Sequence, residues 1–298
     1  MSLNFTENVQ NLKVSVIGLG FVGNSMYLSF NEKIKTHNLN NVEINGYDKY
    51  KSGGIGSFDS CLNSDIIFTA LPTLFSKELN SYDNTPTKSV VEELSTKGYN
   101  KIIVIKSTVE PTFTEELSKL YPHITFIHNP EFLTARTAYE DFHNQTHIVL
   151  GRTYNVECVQ NTRIENDLNL VKQFYNKLYY KPELVISICS STESELMKIL
   201  CNTFYAIKVQ TFTEFYLLNE KLNKQYETKF DTVVNLMLKN NWINPMHTTI
   251  PGPDTKISYG GLCFPKDTSA LLSFMKKIDT PHGILNSCVD ERNEMRDD

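Results

Sequence analysis

One cysteine in the sequence stands where nucleophilic chemistry is feasible. Cys263 follows two glycines and precedes Phe264-Pro265-Lys266-Asp267, a pattern typical of a tight turn that leads into a helix. The thiolate is the reactive form of cysteine, and a helix N-terminus with nearby lysines favours it. A buried, unreactive thiol beside a capped helix would produce the same local pattern. The spacing alone leaves both interpretations open.

A cation and an amide occur together in a long segment with helical periodicity. Lys198 and Asn202 are four positions apart, so they project from one face of the predicted helix. Glu195 lies about one turn before Lys198 on a similar face. The three side chains could serve a reacting centre, or they could form a solvated ion pair beside a surface asparagine.

A glycine-rich turn near the N-terminus predicts dinucleotide binding. Gly18, Gly20 and Gly23 form a GxGxxG pattern that follows a predicted strand and opens a predicted helix, and the next strand ends at Asp48. The glycines allow a tight turn and a close approach of pyrophosphate, and the helix N-terminus attracts the phosphates. Asp48 would bind the ribose hydroxyls and repel a 2′-phosphate, which favours NAD, although two nearby lysines weaken this preference. An ordinary strand-to-helix turn with a surface aspartate is the alternative.

Further polar residues follow other predicted strands. Ser107 and Thr108 come after one strand, and Asn129 and Glu131 come after another. The carboxyl ends of parallel strands share one edge of a sheet, and ligands of open α/β sheets bind there. Each residue taken singly could also be a capping or turn residue.

The elements that position these residues alternate in the first part of the chain. Short β-branched runs separated by helical patterns predict an α/β fold with a Rossmann-like, doubly wound, mostly parallel sheet over residues 1–185. A mainly helical domain is predicted for residues 186–298, with one long helix from Thr192 to about Lys224 and a further helix over Phe230–Leu238. A final helix is expected to begin at about Thr268.

Composition excludes several classes of protein. The 298 residues carry a net charge of −5, which argues against nonspecific nucleic-acid binding. No apolar run approaches the length of a membrane span, and the N-terminus lacks a signal-peptide pattern, so a cytoplasmic location is expected. The six cysteines include no CxxC pair, which argues against a zinc site and predicts no bound metal.

Taken together, these segments resemble the nucleotide-sugar dehydrogenase family typified by UDP-glucose 6-dehydrogenase. The similarity extends from about Lys13 to the end of the chain, and its most specific part is the segment that contains Cys263. The similar segments are Gly18-Leu19-Gly20-Phe21-Val22-Gly23, Gly46-Tyr47-Asp48, Leu71-Pro72-Thr73, Ser107-Thr108-Val109-Glu110-Pro111, Asn129-Pro130-Glu131-Phe132-Leu133, Glu195-x-x-Lys198-x-x-x-Asn202 and Gly260-Gly261-Leu262-Cys263-Phe264-Pro265-Lys266-Asp267.

The resemblance implies a four-electron oxidation of a nucleotide-sugar C6 alcohol, UDP-glucose to UDP-glucuronate, with two NAD reduced in turn. Cys263 would attack the aldehyde and carry a thioester, while Lys198 and Asn202 would stabilise the oxyanion. Asp267, with Thr108 and Glu131, would organise the hydrolytic water. The implied NAD contacts are Gly18, Gly20, Phe21, Val22, Gly23, Asp48, Pro72, Thr73, Ser107 and Thr108. The implied substrate contacts are Glu131, Phe132, Leu133, Lys198, Asn202, Tyr259, Gly260 and Gly261.

The family also has a third, C-terminal domain that closes over the sugar nucleotide. We expect this domain to be missing from a chain that ends at Asp298. Poor retention of the nucleotide and reduced turnover would follow. The expected assembly is a homodimer through the terminal helical region, Ile284–Arg296, with a second polypeptide as a further candidate to replace the missing domain.

Two other functions remain open from the sequence. A two-electron β-hydroxyacid dehydrogenase of similar fold would use a helix lysine and asparagine like Lys198 and Asn202, but its chemistry needs no nucleophile such as Cys263. A catalytically weakened NAD-binding or partner protein is the other alternative, and the presence of Asp267 with these three residues argues against it.

Overall fold

The computed structural model describes residues 11–154 and 158–297, with strands and helices that alternate first and helices that predominate later. The strands are β1 Leu12–Ile17, β2 Val42–Tyr47, β3 Ile66–Thr69, β4 Phe75–Ser76, β5 Ser81–Tyr82, β6 Ile102–Ile105, β7 Thr125–His128, β8 His147–Arg152 and β9 Val185–Ser190. The α-helices are α1 Phe21–Thr36, α2 Phe58–Cys61, α3 Thr85–Thr96, α4 Phe113–Leu120, α5 Ala138–His143, α6 Cys158–Leu178, α7 Ser191–Leu222, α8 Phe230–Leu238, α9 Phe264–Lys277 and α10 Gly283–Met295.

Seven of the strands form one sheet in the order β2-β1-β3-β6-β7-β8-β9. Neighbouring strands are parallel except β7 and β8, which pair antiparallel. The chain passes from β1 to β2 on one side and then returns to β3 on the other side of β1, so the winding reverses between β1 and β3. Open α/β sheets bind ligands outside the strand carboxyl ends at such a reversal. The predicted Rossmann-like, mostly parallel sheet is confirmed.

The central strands of this sheet are buried on both faces, as is usual for parallel strands that helices cover on each side. On one face Val14, Val16 and Phe68 belong to a cluster with α1 and α6. On the other face Ile67 and Ile103 belong to a cluster with α3 and α4. The loops that leave the strands therefore start from fixed positions.

The described residues divide into two compact units. The first contains the seven-stranded sheet and comprises the described residues up to Thr73 together with Asn84–Leu196. The second comprises Leu74–Asp83 and the described residues from Met197 onward. A short segment from the first part of the chain thus groups with the second unit, which sequence periodicity did not indicate. The predicted domain boundary at residue 185 stays a prediction, because compactness alone does not define a functional domain.

The second unit is mainly helical, as the sequence predicts. Its core joins the β4–β5 hairpin to α7, α9 and α10 through buried residues that include Tyr82, Ile199, Leu271 and Val289. A separate cluster fixes α8 against α7 with Phe212 and other apolar residues. The strands and helices of this unit thus bring together segments that are far apart in the sequence.

Two of the predicted helices are confirmed and one is corrected. The long helix is α7, and the helix over Phe230–Leu238 has the predicted bounds. The helix expected from about Thr268 instead begins at Phe264, whereas α10 agrees with the terminal helical region that the sequence predicts. Proline in the first turn does not break a helix, because the N–H that it lacks has no intrahelical partner there. Within the described part of the chain, no helix combines the length and apolarity needed to cross a membrane.

Candidate active site

The glycine turn after β1 admits only glycine at two positions. Gly18 has φ +87°, and a Cβ built there would lie 2.6 Å from the carbonyl oxygen of Ala70. A Cβ on Gly23 would lie 1.8 Å from the carbonyl oxygen of Gly18. The first glycine therefore makes the turn, and the third lets α1 pack directly on it.

The middle glycine faces open space. Gly20 is the N-cap of α1, no side chain caps this end of the helix, and a Cβ built on Gly20 meets nothing within 4 Å. The first N–H groups of a helix have no intrahelical partner, and they carry the positive end of the helix dipole. Phe21, Val22 and Gly23 supply these groups, so the turn fits the pyrophosphate of a dinucleotide.

Alanine at two of these glycines is expected to separate binding from folding. Gly20→Ala should weaken NAD binding by at least about tenfold, because the methyl group enters the space that pyrophosphate would use. It should leave the urea midpoint of unfolding almost unchanged. Gly23→Ala should lower both NAD affinity and that midpoint, since its methyl group overlaps a backbone oxygen. Isothermal titration with NAD and urea unfolding measure the two effects. Equal loss of stability in both variants would contradict the assignment.

Asp48 closes the turn from the end of β2. Its carboxylate accepts backbone N–H bonds from Leu19 at 2.7 Å, Tyr50 at 2.9 Å and Lys51 at 2.8 Å. Burial alone would raise the pKa of Asp48, but the three N–H donors and the Lys51 ammonium lower it below its usual value. The residue is therefore an ionised acceptor with lone-pair capacity left for a hydroxyl ligand.

The ends of β3 and β6 are tied to each other by side chains. Ser107 Oγ donates to the carbonyl of Leu71 at 2.6 Å and accepts from its N–H at 3.1 Å. Thr73 Oγ1 donates to the carbonyl of Thr108 at 2.8 Å. Pro72 lies in the sequence between Leu71 and Thr73, which form these hydrogen bonds. Four of the predicted NAD contacts therefore lie together at the carboxyl edge of the sheet in the first unit.

A buried lysine supports the loop that carries Glu131. Lys106 Nζ donates to Asn129 Oδ1 at 3.0 Å and to the carbonyl of Pro130 at 3.2 Å. Tyr175 donates to the same Asn129 oxygen at 2.5 Å. Glu131 is itself buried, and its Oε2 accepts the N–H two residues further along at 2.5 Å. Lys106 was not among the residues predicted from the sequence, although its position directly before Ser107 was a usable signal.

The two apolar residues after Glu131 lie in different surroundings. Phe132 is exposed, and its ring is stacked on His147 with 6.3 Å between centroids. Leu133 is partly buried against the core of the first unit. Of the two, Phe132 is thus the side chain that a ligand can reach.

Glu195 is buried and does not form the solvated ion pair that the sequence left open. Its carboxylate accepts the N–H of Thr112 at 2.7 Å and that of Thr114 at 2.8 Å, which caps the N-terminus of α4. Burial raises the pKa of Glu195 to about 7, although these donors act to lower it. The same turn of α7 is held by Ser194, whose Oγ lies 2.8 Å from Nδ1 of buried His128. Within the first unit, Glu195 thus fixes the first turn of α7 to the start of α4.

Lys198, Asn202 and Asp267 meet in the second unit, and all three are buried. Asn202 Nδ2 donates to Asp267 Oδ2 at 2.6 Å, and Lys198 Nζ lies 3.4 Å from Asn202 Oδ1. Lys266 Nζ lies 2.5 Å from Asp267 Oδ1, and Tyr82 donates its hydroxyl to that same oxygen. The predicted lysine, asparagine and aspartate therefore form one hydrogen-bonded chain, to which the structure adds Tyr82 and Lys266.

Cys263 is the N-cap residue of α9 and is partly exposed. Its carbonyl accepts the N–H of Asp267 at 3.0 Å, so the thiol and the buried carboxylate are one helical turn apart. None of the five cysteines that the structure describes forms a disulfide. No group of three His, Cys, Asp or Glu side chains in the described ranges could hold a metal ion.

Two arginines of the last helical region fix the glycine turn before Cys263. Arg292 Nε donates to the carbonyl of Tyr259 at 3.2 Å, and a Cβ on Gly260 would lie 2.2 Å from the guanidinium of Arg296. Tyr259 is buried in the core, whereas Gly261 has φ +80° with open space around it. Gly260 thus lets the Arg296 guanidinium pack directly against the turn. Gly261 leaves open space beside the turn, which a ligand can enter.

The predicted residues fall into one group in each unit. The glycine turn, Asp48 and the strand-end residues through Leu133 are in the first unit, and the residues from Lys198 onward are in the second. Within each unit, the structure brings side chains together that are far apart in the sequence.

Comparison with known proteins gives matches along most of the chain. A family model described as "UDP-glucose/GDP-mannose dehydrogenase family, NAD binding domain" matches residues 56–178, and the central-domain model of the same family matches residues 192–294. UDP-glucose 6-dehydrogenase of Streptococcus pneumoniae is 24% identical over 314 residues, an alignment that covers 96% of this chain and 74% of the relative.

Solved structures show the same fold. A UDP-glucose dehydrogenase from Pyrobaculum islandicum matches with a TM-score of 0.73 at 19% identity, over 99% of this chain and 70% of that chain. The 3-hydroxyisobutyrate dehydrogenase of Mycobacterium tuberculosis matches with a TM-score of 0.64 at 15% identity, over 95% of this chain and 93% of that chain. Because the sequence identities are this low, the structural matches show the fold alone.

Proposed function

The chain belongs to the UDP-glucose/GDP-mannose dehydrogenase family, and we propose that it oxidises the C6 alcohol of UDP-glucose to a carboxylate. The coarser assignment, an NAD-dependent oxidoreductase of the nucleotide-sugar class, follows from membership of the family. The more specific assignment, oxidation of UDP-glucose at C6, is supported by relatives that are named UDP-glucose 6-dehydrogenase. The overall change is R–CH₂OH + 2 NAD⁺ + H₂O → R–COO⁻ + 2 NADH + 3 H⁺.

Cys263 is proposed as the covalent nucleophile. Bound NAD supplies the hydride acceptor for both oxidations. The Cys263 thiolate adds to the carbon of the aldehyde, and the carbonyl oxygen becomes an oxyanion. Lys198 contributes a positive charge to this oxyanion, and the second amide hydrogen of Asn202 contributes a hydrogen bond. After the second oxidation the acyl group is a thioester on Sγ, and water cleaves it to the carboxylate and the thiol.

The observation that carries this proposal is the buried chain from Lys198 through Asn202 to Asp267, one helical turn from Cys263. Burying a lysine, an amide and a carboxylate costs free energy that their mutual bonds only partly recover. Clusters of this kind concentrate at functional sites, where ordered charges meet a reacting group. The roles predicted for Thr108 and Glu131 in organising water stay predictions.

A substrate panel tests the proposed function. UDP-glucose, UDP-galactose, UDP-N-acetylmannosamine and GDP-mannose would be incubated with NAD, and NADH and carboxylate would be measured together. UDP-glucose is expected to give the highest kcat/KM and two NADH per carboxylate. One NADH per product, with an aldehyde or ketone released, would instead support a two-electron β-hydroxyacid type of reaction, whose fold the chain shares with the mycobacterial structure. If no sugar nucleotide is turned over, the result would support the alternative that the chain is a catalytically weakened NAD-binding or partner protein.

The two parts of the chain have different proposed roles. We propose that residues 1–185 bind NAD and that residues 186–298 supply the nucleophile. The proposal is supported by the two family matches, which leave residue 185 between them.

Asp48 is expected to determine the preference for NAD over NADP. Its ionised carboxylate should repel a 2′-phosphate, so kcat/KM should favour NAD by at least about tenfold, or 1.4 kcal/mol. Asp48→Ala should narrow this ratio because it removes the acceptor and the repulsion together. Lys51 donates its Nζ to the carbonyl of Leu19 at 2.6 Å, so a cation remains beside the turn in the variant. Steady-state rates with both cofactors measure the ratio, and equal use of both by the unaltered chain would contradict the assignment.

A homodimer is the proposed assembly, and α7 is added to the terminal helical region, Ile284–Arg296, as a candidate interface. In α10 the sole large apolar side chain exposed among the described residues is Ile284, whereas α7 exposes Leu200, Phe204, Leu218 and Leu222. These residues of α7 therefore offer more apolar surface for a second copy than the terminal region predicted from the sequence. A second polypeptide as partner and a cytoplasmic location stay predictions.

A further inference from the structure

The β4–β5 hairpin places a tyrosine inside the second unit. Phe75 pairs with Tyr82 across the two short strands, and the N–H of Asp83 donates to the carbonyl of Leu74 at 2.7 Å. At the tip, Ser273 Oγ of α9 donates to Asn80 Oδ1 at 2.8 Å. The hairpin is thus held at both ends, and one end presents Tyr82.

Tyr82 is 2% exposed, and its ring lies in the apolar cluster formed by α7, α9 and α10. Its hydroxyl donates to Asp267 Oδ1. The face of its ring lies 4.9 Å from Lys266 Nζ, which is itself 2.5 Å from that carboxylate oxygen. One side chain therefore contacts both members of a partly buried ion pair, the anion through a hydrogen bond and the cation through its π face.

The carboxylate that Tyr82 holds has no exposure of its own. Asp267 is 0% exposed, and its oxygens accept from Tyr82, Lys266 and Asn202. These three donors occupy both of its oxygens, so the position of the carboxylate is fixed from two sides. Its effect on Asn202 is directional, because the bond at 2.6 Å fixes the amide nitrogen towards Asp267 and leaves the amide oxygen towards Lys198.

We propose that Tyr82 is a positioning residue, which fixes Asp267 and through it the Asn202 amide that stabilises the oxyanion. The inference rests on the proposed function and adds a residue to it. Without the Tyr82 hydroxyl, Asp267 Oδ1 would be held by Lys266 while Oδ2 accepts from Asn202, and the carboxylate would keep some rotational freedom because an ammonium group imposes little direction. The hydroxyl of Tyr82, carried on a rigid ring in a packed core, removes that freedom. Preorganised donors lower a barrier only if their geometry is fixed before the reaction begins.

A double-mutant cycle in kcat tests the proposal. Tyr82→Phe keeps the ring and its contact with Lys266 and removes only the hydroxyl, so kcat with UDP-glucose should fall about tenfold with KM for NAD unchanged. Asp267→Asn keeps the size of the side chain and removes its charge. If Tyr82 acts through Asp267, adding Tyr82→Phe to Asp267→Asn should change kcat by less than about twofold. Ser273→Ala is the matched control, since it loosens the tip of the hairpin without touching Asp267, and its kcat should stay within about twofold of the unaltered chain.

Several results would overturn the inference. Tyr82→Phe with full kcat would remove the role of the hydroxyl, and tenfold losses that multiply in the double variant would show a route independent of Asp267. Urea unfolding of the four proteins checks the folded state, and a Tyr82→Phe chain that does not fold would make the hydroxyl a stability determinant instead. An unaltered chain that forms no NADH from any sugar nucleotide would overturn the proposed function itself, whereas an active chain with either of the first two results would overturn this inference alone.

Discussion

Cys263→Ala is expected to abolish carboxylate formation, with kcat for the overall oxidation reduced by at least about 10³-fold. The reason is that the second oxidation needs a carbon bonded to sulfur, and no other cysteine lies at the N-terminus of α9. NAD binding should be unchanged, because the glycine turn and Asp48 belong to the first unit. NADH formation and product analysis by mass spectrometry measure the loss, and isothermal titration with NAD checks the fold.

Cys201→Ala is the matched control for this variant. Cys201 is a partly buried thiol on α7 in the same unit, and its Sγ lies 3.9 Å from the sulfur of Met197. Its kcat should stay within about twofold of the unaltered chain, because loss of one sulfur from such a site costs little. The unaltered chain should form two NADH per carboxylate without free aldehyde. Full activity of Cys263→Ala, or one NADH per product in the unaltered chain, would refute the thioester route.

The alternating sheet could be predicted because local signals were strong. Continuous β-branched runs of about five residues that end at glycine, proline or a polar residue are typical of buried strands in a parallel sheet. The strand predicted directly before the glycine turn is present as β1, which ends at Ile17, next to Gly18. The long helix α7 was equally clear, because neither proline nor glycine interrupts it.

The proposed catalytic cluster could be predicted only by family resemblance, because its contacts span the chain. Tyr82 and Asp267 form a hydrogen bond although 185 positions separate them in the sequence. Tyr82 lies on a strand of only two residues, which is too short to show the alternating pattern of a strand. The burial of Glu195 could not be predicted either, because its partners are backbone N–H groups 81 and 83 residues earlier in the chain, at the start of α4. Helix periodicity shows which residues share a face, but it does not show what covers that face.

Lys198→Met is the second variant with a large expected effect. Lys198 is buried, and its Nζ lies 3.4 Å from Asn202 Oδ1, so its charge faces the amide proposed for the oxyanion. Methionine keeps the length and apolar volume of the side chain and removes the charge. Loss of one stabilising group at an oxyanion site reduces kcat by about 10²- to 10³-fold, and we expect a loss of this size. Rates with UDP-glucose under saturating NAD measure it.

A matched substitution on the same helix separates charge from helix stability. Lys221 is exposed in the last turn of α7, so Lys221→Met makes the same chemical change away from Asn202. It should leave kcat within about twofold, and both variants should keep the NAD affinity of the unaltered chain, since the NAD turn lies in the first unit. Comparable losses in the two variants would trace the effect to the helix as a whole. A loss confined to Lys198→Met, with KM for UDP-glucose nearly unchanged, would show that the buried ammonium acts on the transition state, because uniform binding would raise KM instead.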